Sequence, residues 1–194
     1  LITLPEQMRV PQSFIKALLE GITFMRGDRD LLRLAIVLGF ANFIATATIT
    51  VQVLFAQDVL GLSAASYGMI LSVAACGAIT GSLLAPRLTR MFGVQMCLYL
   101  SIVAWVVGYG SIGLSETAIV MPIALFVVMA GSMLWNVITV SWRQRRIPSA
   151  LLGRVNSIYR FFGWGSMPLG ALAGGLIVAL FEDELWRNLA LHKP

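Results

Sequence analysis

Asn42, Thr46 and Thr50 stand inside a long apolar run and fall within about 80° of one another at helical spacing. Gln52 lies off that face. In a later run Trp135, Thr139 and Trp142 share a face with Asn136 beside them, and in another Trp105 and Tyr109 are four apart. Amides, hydroxyls and indoles can bind by hydrogen bonding and stacking, and no histidine or charged side chain stands deep in these runs to activate a hydroxyl as a nucleophile. Two readings stand for them. Asn42, Thr46, Thr50, Trp105, Asn136 and Thr139 border a path for a small-molecule substrate, or they make helix-to-helix hydrogen bonds and interfacial aromatic contacts. Trp142 and Tyr159 belong to the interface belt.

The usual catalytic groups are sparse. His192 is the one histidine and sits in the tail. Cys76 and Cys97 lie in apolar runs without histidine or carboxylate neighbours, and read as small buried hydrophobes rather than metal ligands or a disulfide. There is no glycine-rich phosphate loop with lysine. No catalytic residue, metal or cofactor is expected, and an intramembrane enzyme is disfavoured.

The elements that carry these residues are long and greasy. Of 194 residues 58% are hydrophobic and 12% charged, with a mean hydropathy of +0.85. A soluble domain carries about 25% charged residues. Five stretches hold no charged side chain: Leu34 to Gln57, Val59 or Leu60 to Pro86, Met91 to Ser115, Thr117 to Trp142 and Phe161 to Phe181. Each reaches the roughly 20 residues that a helix needs to cross hydrocarbon. A β-barrel would need alternating segments of about ten residues, and these do not alternate. The expected class is an all-α membrane protein. The second helix is expected to start at Ser63 or Ser66.

Charge gives the threading. Arg9, Lys16, Arg26, Arg29 and Arg33 precede the first span; Arg87 and Arg90 lie between the second and third; Arg143, Arg145, Arg146, Arg154 and Arg160 lie between the fourth and fifth. Alternate crossing puts all of these on one side. The other side receives Asp58, Glu116, Glu182, Asp183 and Glu184, with Arg187 its one arginine. That bias makes the basic segments cytoplasmic loops, held against the anionic lipid of the bilayer. Nucleic acid is not an expected partner, since no groove-reading motif accompanies the charge.

Residues 1–30 read as a cytoplasmic linker whose Phe14, Leu18, Ile22 and Met25 line one face of an amphipathic surface helix, with a solvent-bathed loop as the alternative. Residues 31–181 form the five-helix bundle, and 182–194 a periplasmic-side loop with the stub of a further helix. The opening "LITLPEQMRVPQ" reads as an entry into the middle of a longer protein. Gly77 and Gly81, and Gly170 and Gly174, are spaced to let helix backbones approach. Gly163, Gly165, Pro168, Gly170 and Gly174 crowd one helix, which reads as either closely packed or gate-like.

"RQRRIPSALLGRVNSIYRFFGWGSMPLGALAGG" (143–175) and "FAQDVLGLSAASYGMILSVAACGAITGSLLA" (55–85) resemble the C-terminal half of a major facilitator superfamily transporter. The likeness is to its enterobactin/siderophore and macrolide-type bacterial exporter branch. The resemblance implies helices 7 to 11 of twelve, a linker helix before them, and an N-terminal half of the same transporter as partner. It also implies an inner-membrane exporter working by alternating access on an ion gradient, its substrate a siderophore or drug-like small molecule. In the loop motif after the eighth helix, Gly81, Arg87 and Gly93 match, whereas Arg90 stands where many relatives hold aspartate. The gating contact of that loop is thereby lost. No titratable group is expected deep in a span, so a coupling carboxylate would lie in the other half. The alternative is a non-transporting membrane fragment or interaction subunit.

Overall fold

The structure, a computed structural model, describes residues 14–115 and 117–191. It is a helical bundle: α1 (Phe14–Gly27), α2 (Arg29–Leu54), α3 (Ala64–Gly113), α4 (Val120–Arg146), α5 (Ser149–Gly165) and α6 (Met167–Leu191). Four stretches, Arg29–Val59, Ala64–Gly113, Val120–Arg146 and Ser149–Phe181, are long and apolar enough to cross a membrane. Large apolar side chains such as Leu83, Val106 and Leu180 face outward at 74%, 68% and 76% exposure. That exterior suits hydrocarbon as its solvent.

The 50 residues of α3 would reach about 75 Å if straight, against a hydrocarbon core of about 30 Å. They are not straight. Gly93 takes φ +80°, ψ 164°, outside the helical region and on the side that glycine alone adopts freely. Packing along α4 shows what this does. Gly77 and Gly81 abut Phe126 and Ala130, in the same order as α4, whereas Gly108 abuts Ala124 and Val128, and Ser101 abuts Gly131, in the reverse order. The two arms are therefore antiparallel on one partner. The first arm runs through Pro86 and ends only at Gly93.

The helix starts follow local chemistry. Asp28 caps α2, its carboxylate accepting from Asp30 N and Leu31 N, and Ser63 Oγ caps α3 by accepting from Ser66 N. The first run ends in a wide helical turn, Phe55–Val59. Pro168 sits in the first turn of α6, where its missing N–H costs nothing, so the break between α5 and α6 falls at Ser166.

Close backbone contact binds the helices. A Cβ on Gly77 or Gly81 would lie 2.2 Å from the carbonyl oxygen of Phe126 or Ala130; on Gly170 or Gly174, 2.2 or 2.6 Å from that of Phe43 or Ala47. Gly165 and Gly175 have open space instead. Helix α3 packs on α4, α2 on α6 and α5, and α1 on α5.

The ends of the bundle are distinct. Ala56, Ile70, Ala74, Ile112 and Met121 gather at one. At the other, the Gly93 bend lies level with the last turns of α4, and Arg146 meets Asp28 at the start of α2. The three basic segments thus share one end. They are helical, not loops. Arg87 and Arg90 lie in the last turns of the first α3 arm, Arg143, Arg145 and Arg146 in the last turn of α4, and Arg154 and Arg160 within α5, so the connection between α4 and α5 shrinks to Ile147 and Pro148. Arginine is a good helix former, and nothing before Gly93 or Pro148 breaks those helices.

Three other expectations change. In α1 Gly21, Ile22, Phe24 and Met25 pack inward, while Ile15, Leu18 and Leu19 are exposed, because Gly21 admits Ile158 and Arg154 of α5. Helix α6 continues to Leu191 where a loop from 182 is expected; its sequence there holds neither glycine nor proline. Cys97 is buried but Cys76 is exposed, on the outer face of its arm. The stretch 1–13 and His192 lie outside the described residues.

Ion pairs join the basic end: Arg146 with Asp28 and Asp30, and Arg154 with Glu20. The Arg146 guanidinium holds the Asp28 carboxyl below the usual carboxylate range; burial opposes this, and the Leu31 and Asp30 N–H groups assist it. A depressed folded-state pKa means that the stabilisation is complete above the unfolded value, about 3.9, and disappears as pH falls through the folded one.

Two measurements check this packing. Gly77→Ala, Gly81→Ala and Gly170→Ala each lose about 1–3 kcal/mol in thermal unfolding of the detergent-solubilised chain, whereas Gly165→Ala and Gly175→Ala lose nothing. Asp28→Asn keeps the cap but not the charge, so below about pH 5 the melting temperature of the native chain falls more steeply than that of the variant.

Candidate functional site

Where α2 and α4 diverge, a cavity of about 720 Å³ opens between α2, the second arm of α3, α4 and α5. Asn42, Trp105, Asn136 and Thr139 line it. Four of the residues singled out from the sequence therefore meet at one place, though they come from three helices. Apolar side chains, among them Phe40, Ile44, Val106 and Met133, make up much of the remaining wall.

Each polar group is differently employed. Asn42 Nδ2 donates to the Gly163 carbonyl at 2.9 Å, tying α2 to α5. A side chain at Gly163 would collide with Leu38 and crowd that amide, so this glycine permits the bond. Trp105 Nε1 donates to Ser132 Oγ at 2.8 Å, and Ser132 Oγ donates in turn to the Val128 carbonyl. The Trp105 ring lies 5.4 Å from that of Trp135, tilted by 47°. Thr139 is buried and its hydroxyl donates back to Trp135 O at 2.9 Å. The amide of Asn136 is exposed to the cavity, with no side-chain hydrogen bond among the described residues.

Thr46 and Thr50 do not line this cavity. Their hydroxyls donate to Asn42 O and Thr46 O, four residues back in α2, and Thr50 lies against Gly174 of α6. Asn42 reaches the cavity from the same face because its longer side chain spans to α5. Wheel angle alone places a residue on a face without saying which neighbour occupies it.

One end of the cavity holds residues that sequence reasoning assigns elsewhere. Arg143, expected in a loop, is only 8% exposed and lies over the ring of Tyr159 at 3.7 Å. Tyr159, expected in an interfacial belt, is buried, and its hydroxyl donates to the Leu34 carbonyl at 3.3 Å. Arg160 stacks on Trp164 at 4.2 Å beside them. The spacing Trp135, Thr139, Arg143 is the available signal, since it continues a helical stripe past the apparent end of the apolar run.

This arrangement can hold a small molecule by apolar contact, ring stacking and a few hydrogen bonds. It contains no pair of groups able to activate a nucleophile. A family model described as transmembrane secretion effector matches residues 3–182. No curated protein and no solved structure matches the chain.

The Trp105–Ser132 bond gives a direct check on the cavity wall. Ser132→Ala leaves the indole N–H without its acceptor, and the chain loses about 1 kcal/mol in thermal unfolding. The near-ultraviolet circular dichroism of the coupled tryptophans changes with it.

Proposed function

The chain belongs to the transmembrane secretion effector family, of major facilitator type, and from that premise we propose that it is the C-terminal half of an exporter for a siderophore or drug-like small molecule. Membership makes it a multi-pass membrane protein of a transporter family. In the proposed reading its passes are helices 7 to 11 of twelve, and the basic end faces the cytoplasm of a bacterial inner membrane. An N-terminal half supplies the facing bundle and any coupling carboxylate.

The observation that carries this reading is the cavity lined by Asn42, Trp105, Asn136 and Thr139. Such a space, apolar but with convergent polar groups, is the usual form of a small-molecule site. Exchange across the membrane then follows alternating access: two bundles rock about the substrate, driven by an ion gradient. The junction of α5 and α6 is the hinge of the reading. Gly165 has open space around it, and α5 gives way to α6 at Ser166, beside the cavity wall formed by Trp164.

Gradient-driven movement of a fluorescent drug and of a siderophore is measured in sealed vesicles, with the chain alone and with an N-terminal bundle of the same family. The expected outcome is movement with the partner present that an uncoupler abolishes. Asn42→Leu and Asn136→Leu, at normal protein levels, each shift the apparent affinity by roughly fivefold, the worth of one hydrogen bond. Unchanged affinity in both removes them from the path. No movement under either condition favours a non-transporting interaction subunit.

A further inference from the structure

Among the described residues Arg143 has no carboxylate partner. The described ion pairs at its end of the bundle use Arg33, Arg146 and Arg154 instead, with Asp30, Asp28 and Glu20. Its guanidinium is nevertheless buried, and its Nε has no hydrogen-bond partner among the described residues. The face of Tyr159 offsets part of the charge, but an aromatic face does not accept the in-plane N–H bonds of a guanidinium. A buried cation left in this state is costly, and a low-dielectric setting strengthens its pull on any anion that arrives.

Two more donors lie on the same helix. Among the described residues the buried Trp135 Nε1 has no hydrogen-bond partner, and the Asn136 amide has none on its exposed side toward the cavity. Trp135, Asn136 and Arg143 all line that space, which has no carboxylate among its lining residues. The cavity therefore offers spare hydrogen-bond donors and, at one end, two positive charges, the buried Arg143 and the more exposed Arg160, with apolar walls along much of the rest.

We infer that this cavity binds an amphipathic anion, its carboxylate or phosphate oxygens on the edge of the Arg143 guanidinium and its apolar body along Phe40, Trp105 and Val106. Tyr159 fixes the plane of the guanidinium and leaves its edge to grip two oxygens together. A cationic ligand meets repulsion here, and a neutral one leaves the charge unanswered. The oxyanion belongs either to a transported acid or to the headgroup of an anionic lipid. The first of these rests on the transporter reading; binding itself does not.

The test uses the full chain in phosphatidylcholine nanodiscs, with bromo-substituted undecanoate and the matching bromo-substituted alcohol as probes. Bromine quenches tryptophan at short range, so Trp105 and Trp135 report occupancy. The native chain is quenched saturably by the acid at a concentration roughly tenfold or more below that needed of the alcohol, the size of one charge-assisted interaction. Arg143→Gln cuts the preference for the acid severalfold, Arg160 accounting for what remains, and Arg143→Lys keeps it. Equal quenching by both probes in the native chain overturns the inference, whether or not Arg143→Gln folds. So does an undiminished preference in a folded Arg143→Gln chain.

Added phosphatidylglycerol that competes with the acid identifies the lipid headgroup as the source; lack of competition identifies a free small molecule. In vesicles with the N-terminal bundle, efflux of the acid falls in Arg143→Gln while efflux of a neutral cargo persists. If no cargo moves but the binding preference stands, the transporter reading fails and the anion site remains.

Discussion

Carbonyl oxygens of one helix resting on the bare Cα atoms of the next organise this bundle. Phe126 meets Gly77, Ala130 meets Gly81, Phe43 meets Gly170 and Ala47 meets Gly174. Lipid is as apolar as leucine, so helices in it gain little by hiding greasy side chains from their solvent, and close packing takes over that role. The four contacts form two seams. One fastens α4 to the first arm of α3, and the other fastens α2 to α6. The reversal at Gly93 then brings the second arm of α3 onto α4, where Gly108 and Gly131 admit Val128 and Ala104.

The cavity follows from that division. The helices joined by one seam scarcely touch those joined by the other, and α2 and α4 spread apart between Asn42 and Asn136. Contacts across the gap lie toward its ends: Gln52 Nε2 donates to the Tyr67 hydroxyl at one, and at the basic end Arg143 stacks on Tyr159 and Arg146 pairs with Asp28. Those bonds set the width of the space and leave Arg143 inside it. The same arginine-rich segment that carries the ion pairs therefore also places one charge where no partner reaches it.

Much of this frame is legible in the residues. Charge-free runs mark the passes, Ser63 marks a helix start, and the basic residues mark one end of the bundle. Glycine spacing marks both seams, whereas glycine crowding also flags Gly165, where an added Cβ would meet nothing, because sequence cannot tell which face a neighbour covers. The assignment of arginines to loops fails for a similar reason. An apolar run ends at its first charge, but a helix ends where its hydrogen bonding does, and α4 goes on to Arg146. The burial of Arg143 depends on Tyr159, sixteen residues further along the chain and on a different helix, and no local pattern encodes that meeting. The face of α1 is set in the same way, by Ile158 entering at Gly21.

The central claim is that the chain doubles back at Gly93, so that this bend and the end of α4 lie at one surface. Single cysteines at Met91, Arg145 and Ile119, in a chain with Cys76 and Cys97 replaced by alanine, report this through a membrane-impermeant maleimide. The account predicts that positions 91 and 145 react from the same side of sealed vesicles, and position 119 from the opposite side. Reaction of 91 and 145 from opposite sides contradicts it.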